Sequence, residues 1–228
     1  MRLLNLVLAS LIAAAAAASS TSAAVEYTLI NNATGTPGGE KFKNKVGFQY
    51  TRQVLSDATC FIFTIFNQHL DSERKNIDRI TLIIHSFNGV AYAINNEIHV
   101  SSDYIAGYTG DVKREITGVL YHEMTHVWQW NGQGRAPGGL IEGIADYVRL
   151  KSNYVPSHWV KPGEGQRWDQ GYDVTARFLD YCSGVLRSDF VSLLNANMKN
   201  GYSNDLFKQF LGKSVDQLWS DYKAHYGK

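Results

Sequence analysis

Cysteine is nearly absent: Cys60 and Cys182 are the only two in 228 residues, and they lie far apart. A disulfide framework of the kind that holds small loop-rich folds together is therefore excluded, and neither cysteine has the C-x-x-C spacing of a thiolate zinc site. One long-range bridge and two buried thiols remain equally open. An excess of one charge is also missing. The formal charge of +1 includes Arg2, and without it 21 basic residues face 21 acidic ones. That balance argues against a nucleic-acid footprint and against a polybasic membrane surface. Long apolar runs are missing too, apart from Leu3 to Ala18. This run follows Arg2 and precedes the small residues Ser22-Ala23-Ala24. The pattern predicts a signal peptide over residues 1–24 rather than a membrane anchor, and a mature chain from Val25 that is exported. There is no internal repeat. Roughly two hundred mature residues suit one domain, 25–228, with a core that needs no staples.

The chemistry gathers at His122-Glu123-Met124-Thr125-His126, inside a segment that reads as a helix over about 111–131. Residues four apart share a helix face, so two imidazoles can converge on one metal ion while Glu123 reaches a water on it. The pentapeptide alone also reads as two histidines at the polar edge of an amphipathic helix. Its surroundings carry more. A glycine-rich turn over 132–139 leads into a second helical pattern bearing Glu142 and Asp146, again four apart, among Ile141, Ile144, Ala145 and Val148. So short a connection makes the two helices antiparallel neighbours. Two carboxylates on a largely apolar helix are costly without partners, and a metal with its histidines supplies them. The glycines serve backbone turns, because no strand precedes them as a phosphate loop requires.

Three stretches carry a family resemblance: His-Glu-Met-Thr-His-Val-Trp-Gln-Trp at 122–130, Ala-Pro-Gly-Gly-Leu-Ile-Glu-Gly-Ile-Ala-Asp-Tyr-Val-Arg-Leu at 136–150, and Gly-Tyr-Asp-Val-Thr-Ala-Arg-Phe-Leu-Asp-Tyr-Cys at 171–182. The chain resembles the gluzincin metallopeptidases and, more closely, the plant basic secretory proteins, also called peptidases of plants and bacteria. The resemblance implies zinc held by His122, His126 and Glu142, Glu123 as general base, and Asp146 orienting a ligand histidine. The gap between His126 and Glu142 is short for a gluzincin, which leaves Asp146 as the alternative third ligand. The balanced charge departs from the family's name. For the donor to a developing oxyanion, Tyr172 is the first choice and His158 the second. A role in defence is implied by the resemblance only.

Elsewhere, 25–31 reads as a first strand, followed by a glycosylation sequon at Asn32-Ala33-Thr34 and a polar, glycine-rich loop to about 45. A long core helix is expected over 47–70, then strands at 80–85 and 90–94 around a turn at 87–89, and a third strand at 97–101 after Asn95-Asn96. Glu97 to Ser101 is the candidate edge strand for a peptide substrate, a structural edge covered by a loop being the equal alternative, while His85 and His99 read as packed or surface groups. Trp128 and Trp130 read as packing. A loop fills 154–170, its aromatic residues either lining a substrate cleft or anchoring the loop, and helices follow at 172–183, 188–198, 203–211 and 214–225.

The expected fold is α+β: a small mixed β-sheet followed by a mainly helical half with a gluzincin-like core. The expected function is a secreted, extracellular, monomeric zinc metallopeptidase acting on peptide or protein substrates, in the apoplast or wall if the source is a plant. The alternatives are a secreted defence or recognition protein that retains its zinc site, and a zinc hydrolase of non-peptide amides or esters.

Overall fold

A computed structural model describes residues 25–228; the signal peptide expected over 1–24 lies outside the described residues. Strand β1 (Glu26–Asn31) runs parallel to β2 (Arg79–His85), and β2 parallel to β4 (Glu97–Ser101). The short β3 (Ala91–Ile94) closes the row antiparallel to β4, so the order is β1-β2-β4-β3. The alternation in β2 sends Ile80, Leu82 and Ile84 fully into the core, and in β4 it sends Ile98 and Val100 there. The hairpin joins β3 to β4 through Asn95 and Asn96, whose φ values of 51° and 62° are those of a type I′ turn. This corrects two expectations. The turn at 87–89 does not pair its flanking strands, and Glu97–Ser101 is an inner strand. The reason lies in the core-facing residues: β4 needs cover for Ile98 and Val100, whereas β3 offers only Ala91 and Ala93 on that face, opposite Val100 and Ile98. A strand with so little to bury takes the edge.

Nine α-helices occur among the described residues. The first, α1 (Pro37–Lys45), forms where a loop was expected. Thr36 Oγ1 accepts from Gly39 N at 3.1 Å, and Pro37 occupies the first turn, where its missing N–H costs nothing. Its glycines serve contact rather than flexibility. A Cβ on Gly38 would stand 1.8 Å from Ser102 O, and one on Gly39 1.9 Å from Ala33 O. Helix α2 (Phe48–Ile65) packs on β1 and on α4. A further helix, α3 (Ser102–Gly107), was not foreseen; Ser101 caps it, accepting from Tyr104 N at 3.2 Å.

Helix α4 (Val112–Trp128) is the central rod, capped by Asp111, whose carboxylate accepts from Arg114 N at 3.0 Å. It ends at Gln129, whose backbone is extended (φ −69°, ψ 148°), and the chain then turns back through Gly132, Gln133 and Gly134, with φ values of 66°, 56° and 76°. Helix α5 (Gly138–Lys151) then returns along it. The remaining helices are α6 (Tyr172–Tyr181), α7 (Phe190–Met198), α8 (Asp205–Leu211) and α9 (Val215–His225), with a π-turn at Cys182–Leu186 after α6. Trp128 is buried between sheet and helices, its Nε1 donating to Thr59 Oγ1 at 3.3 Å, as the packing role predicts. Among the described residues no helix is long and apolar enough to cross a membrane.

Cys60 and Cys182 are both free thiols, the first exposed and the second buried. Neither state left open by the sequence is met in full: the bridge is not formed, and Cys60 is exposed rather than buried. A thiol reagent should therefore label one cysteine in the native protein and both after denaturation. Mass spectrometry of the labelled protein reads the count, and an unlabelled native protein would contradict the arrangement.

Candidate metal centre

The return of α5 along α4 places residues of falling and rising number side by side: Gln129 meets Ile141, His122 meets Glu142 and Asp146, and Glu115 meets Arg149. Three atoms converge at the middle of this seam. His126 Nε2 lies 3.0 Å from His122 Nε2, Glu142 Oε2 lies 3.1 Å from His122 Nε2, and the third edge, His126 Nε2 to Glu142 Oε2, is 3.3 Å. His122, His126 and Glu142 form the metal-capable cluster among the described residues. Zinc donors at about 2.0–2.1 Å stand roughly 3.3 Å apart in a tetrahedron. The triangle's edges, and its two imidazoles plus one carboxylate, fit such an ion.

Asp146 stands on the other side of His122. It accepts from His122 Nδ1–H at 2.6 Å, in a buried hydrogen bond. That bond fixes the tautomer with a lone pair on Nε2, the state that a cation requires. Of the two carboxylates left open by the short gap, Glu142 closes the triangle and Asp146 steadies the histidine. Burial alone would lower the His122 pKa, but its hydrogen bonds to Asp146 and Glu142 outweigh this and raise it. Burial likewise opposes ionisation of Glu142, and its hydrogen bonds to His122 and His126 hold the carboxyl far below the usual carboxylate range. A seam that stabilises this much positive charge suits a divalent cation, which displaces the shared proton.

Glu123 differs from its neighbours. It is 5% exposed, and its Oε2 is buried without a hydrogen-bond partner. Burial raises its pKa, and the nearby His122 and His126 only partly offset that. A buried acceptor left free beside three converging donors is costly unless a substrate or solvent molecule uses it. Gln129, just past the end of α4, joins the site to α5: its amide Nε2 lies 2.7 Å from His126 Nδ1 and donates to Ile141 O at 3.2 Å. Its Oε1 is buried without a partner.

Tyr172 opens α6 directly above the triangle. Its ring stacks on His122 at 6.1 Å between centroids and 11° between planes, and it is 57% exposed. Two glycines in α5 bring it there. A Cβ on Gly139 would stand 1.9 Å from Asp169 O, and one on Gly143 2.2 Å from Thr175 Cγ2, so the start of α6 lies flat on α5. Tyr172 itself holds a left-handed φ of 46°, a strained state for a tyrosine that marks a position constrained by its surroundings. His158, the second choice for an oxyanion donor, lines the same cleft but makes no hydrogen bond to the triangle.

The cleft, about 1020 Å³, has the triangle in its wall and is bordered by Gly89 to Ala93, by Lys75, and by Tyr104, Glu115 and Arg149. Sequence reasoning missed these last residues. Glu115 and Arg149 carried a usable signal, standing seven positions from His122 and from Glu142 and hence on the same helix faces.

The chain matches the profile of the family described as peptidase of plants and bacteria over residues 22–222. A curated relative named basic secretory protease, from Boswellia serrata, is 48% identical over 60 residues, which cover 26% of this chain and 67% of the relative. No solved structure matches. Matched over nearly all its described length, the chain belongs to the peptidases of plants and bacteria, the basic secretory proteins.

Proposed function

We propose that this chain is a secreted zinc-dependent metallopeptidase with a gluzincin-like core, in which His122, His126 and Glu142 hold zinc, Asp146 orients His122, and Glu123 is the general base. One observation carries the reading: three donor atoms 3.0 to 3.3 Å apart stand beside a buried carboxylate oxygen that has no partner. Zinc, when bound, supplies a Lewis acid that polarises a peptide carbonyl and makes water acidic near neutrality. The chain's own groups do the rest. Glu123 takes a proton from the attacking water at its free oxygen and passes it to the leaving nitrogen, a task helped by a pKa that burial raises.

Tyr172 serves as the donor to the oxyanion. Burial first, then the charges of Glu142, Asp146 and Glu123, raise its pKa, which keeps the hydroxyl proton available for donation. The half-exposed ring has room to move over the substrate. The substrate backbone adds to β3, the sheet edge that borders the cleft, in place of the Glu97–Ser101 strand expected from the sequence. The small Ala91 and Ala93 on that strand's inner face leave space for side chains above α4. A role in plant defence belongs to this reading as the setting for a secreted peptidase.

Glu123→Gln should keep its metal, measured by elemental analysis, while cleavage of a mixed peptide library falls on the order of 10²–10⁴-fold. Glu142→Ala should lose the metal at chelator concentrations that the parent withstands. Zinc in parent and Glu123→Gln alike, with no cleavage by either, would turn the reading to a recognition protein that retains its metal site. Tyr172→Phe should lower kcat by about 10²-fold with KM changed little, as for loss of one oxyanion donor. An unchanged kcat would remove Tyr172 from the mechanism and bring His158 forward.

A further inference from the structure

Two helical turns below the metal triangle, about 10 Å along each helix, the seam between α4 and α5 holds a second charged pair. Arg149 Nη2 donates to Glu115 Oε2 at 2.9 Å, with the two side chains only 9% and 8% exposed. Each partner is held again from another element. Arg149 Nε donates to Tyr154 O at 3.0 Å, and Tyr104 Oη donates to Glu115 Oε1 at 3.0 Å. The guanidinium lies across α4 at Gly118, where a Cβ would stand 2.7 Å from Nε and 2.9 Å from Nη2. Trp159 faces it from the loop after α5, its ring centroid 5.9 Å from Arg149 Cζ.

A clamp between two helices would have no need to open onto the cleft, yet Tyr104, Glu115, Arg149, Val119 and Trp159 all line the cleft that contains the triangle. Nor would it need a glycine inside a central helix, which is destabilising relative to alanine. The donors are also unevenly used. Both oxygens of Glu115 are occupied, as are Nε and Nη2 of Arg149, whereas Nη1 makes no hydrogen bond to the described residues and is not sealed from solvent. A donor whose charge is already balanced by Glu115 is thus presented to the cleft that Val119 and Trp159 also line.

We propose that Arg149 is a specificity-determining residue: the pocket between Val119 and Trp159 takes a substrate side chain whose end carries a carbonyl oxygen, glutamine foremost, and Arg149 Nη1 donates to it. The distance from the triangle selects a long side chain. A neutral carboxamide is favoured over a carboxylate because Glu115 repels a second negative charge. Glu115 and Tyr104 act as positioning residues that fix the guanidinium. The assignment rests on the metallopeptidase reading.

Cleavage of peptides varied at each position around the scissile bond tests it. At one position the zinc-loaded parent should prefer Gln over Leu and over Glu by at least about tenfold in kcat/KM, since a site built to hydrogen-bond rejects a side chain that leaves it unpaired. The double variant Glu115→Leu/Arg149→Met removes both charges together, so neither is left buried alone. It should redirect that position towards Leu. Gly118→Ala, which pushes the guanidinium aside and leaves both charges in place, should weaken the Gln preference in the same direction, and it decides the matter if the double variant does not fold. A folded variant with lowered Tm and an unaltered profile would make the pair a structural clamp and overturn the proposal. A parent that cleaves peptides with no position favouring Gln overturns it while the peptidase reading stands. A parent that cleaves no peptide overturns both.

Discussion

The hydrogen bond from His122 Nδ1 to Asp146 Oδ1, at 2.6 Å, joins α4 to α5 at the depth of the core and is the contact on which the site depends. It joins two polar groups that would each be costly to bury alone. It also sets which nitrogen of His122 carries the proton, and so whether the other can bind a cation. With it in place, the register between the helices is determined, and Glu142, one turn before Asp146, arrives opposite both imidazoles. A slip of one turn along the seam would leave Asp146 at the triangle and Glu142 in solvent.

Small residues make this seam possible. Gly118 admits Arg149, while Gly139 and Gly143 admit the segment that carries Tyr172 over His122. Alanines at 91 and 93 keep the sheet edge from filling the space above α4. The cleft therefore arises from missing side chains as much as from those present. Its chemistry sits on two helices of the core, while β3 and the loop at 154–170 form its borders.

Much of this was legible in the sequence because it is local. The spacing of His122, Glu123 and His126, and of Glu142 and Asp146, expresses helix periodicity directly, and the glycine-rich turn between them forces antiparallel packing. The helices after 171 and the loop before them show in the apolar pattern and in the prolines and glycines. What escaped depends on contacts between distant segments. Gly38 and Gly39 read as loop because only the approach of Ser102 and Ala33 shows why a helix needs them. The order of the strands escaped because Glu97–Ser101 and Ala91–Ile94 are both short, and only the burial of Ile98 and Val100 decides which of them lies inside. The pair Glu115–Arg149 carries no motif at all, although its spacing from the metal-site residues places it on their faces.

The central claim is that the α4–α5 seam holds one divalent ion through two imidazoles and one carboxylate. X-ray absorption at the zinc edge, on purified protein loaded with one equivalent of zinc, tests it most directly. The account predicts an ion bound with nitrogen and oxygen neighbours alone at about 2.0–2.1 Å, with imidazole scattering that is reduced in His122→Ala and in His126→Ala. A sulfur neighbour, or an unchanged spectrum in those variants, would contradict it.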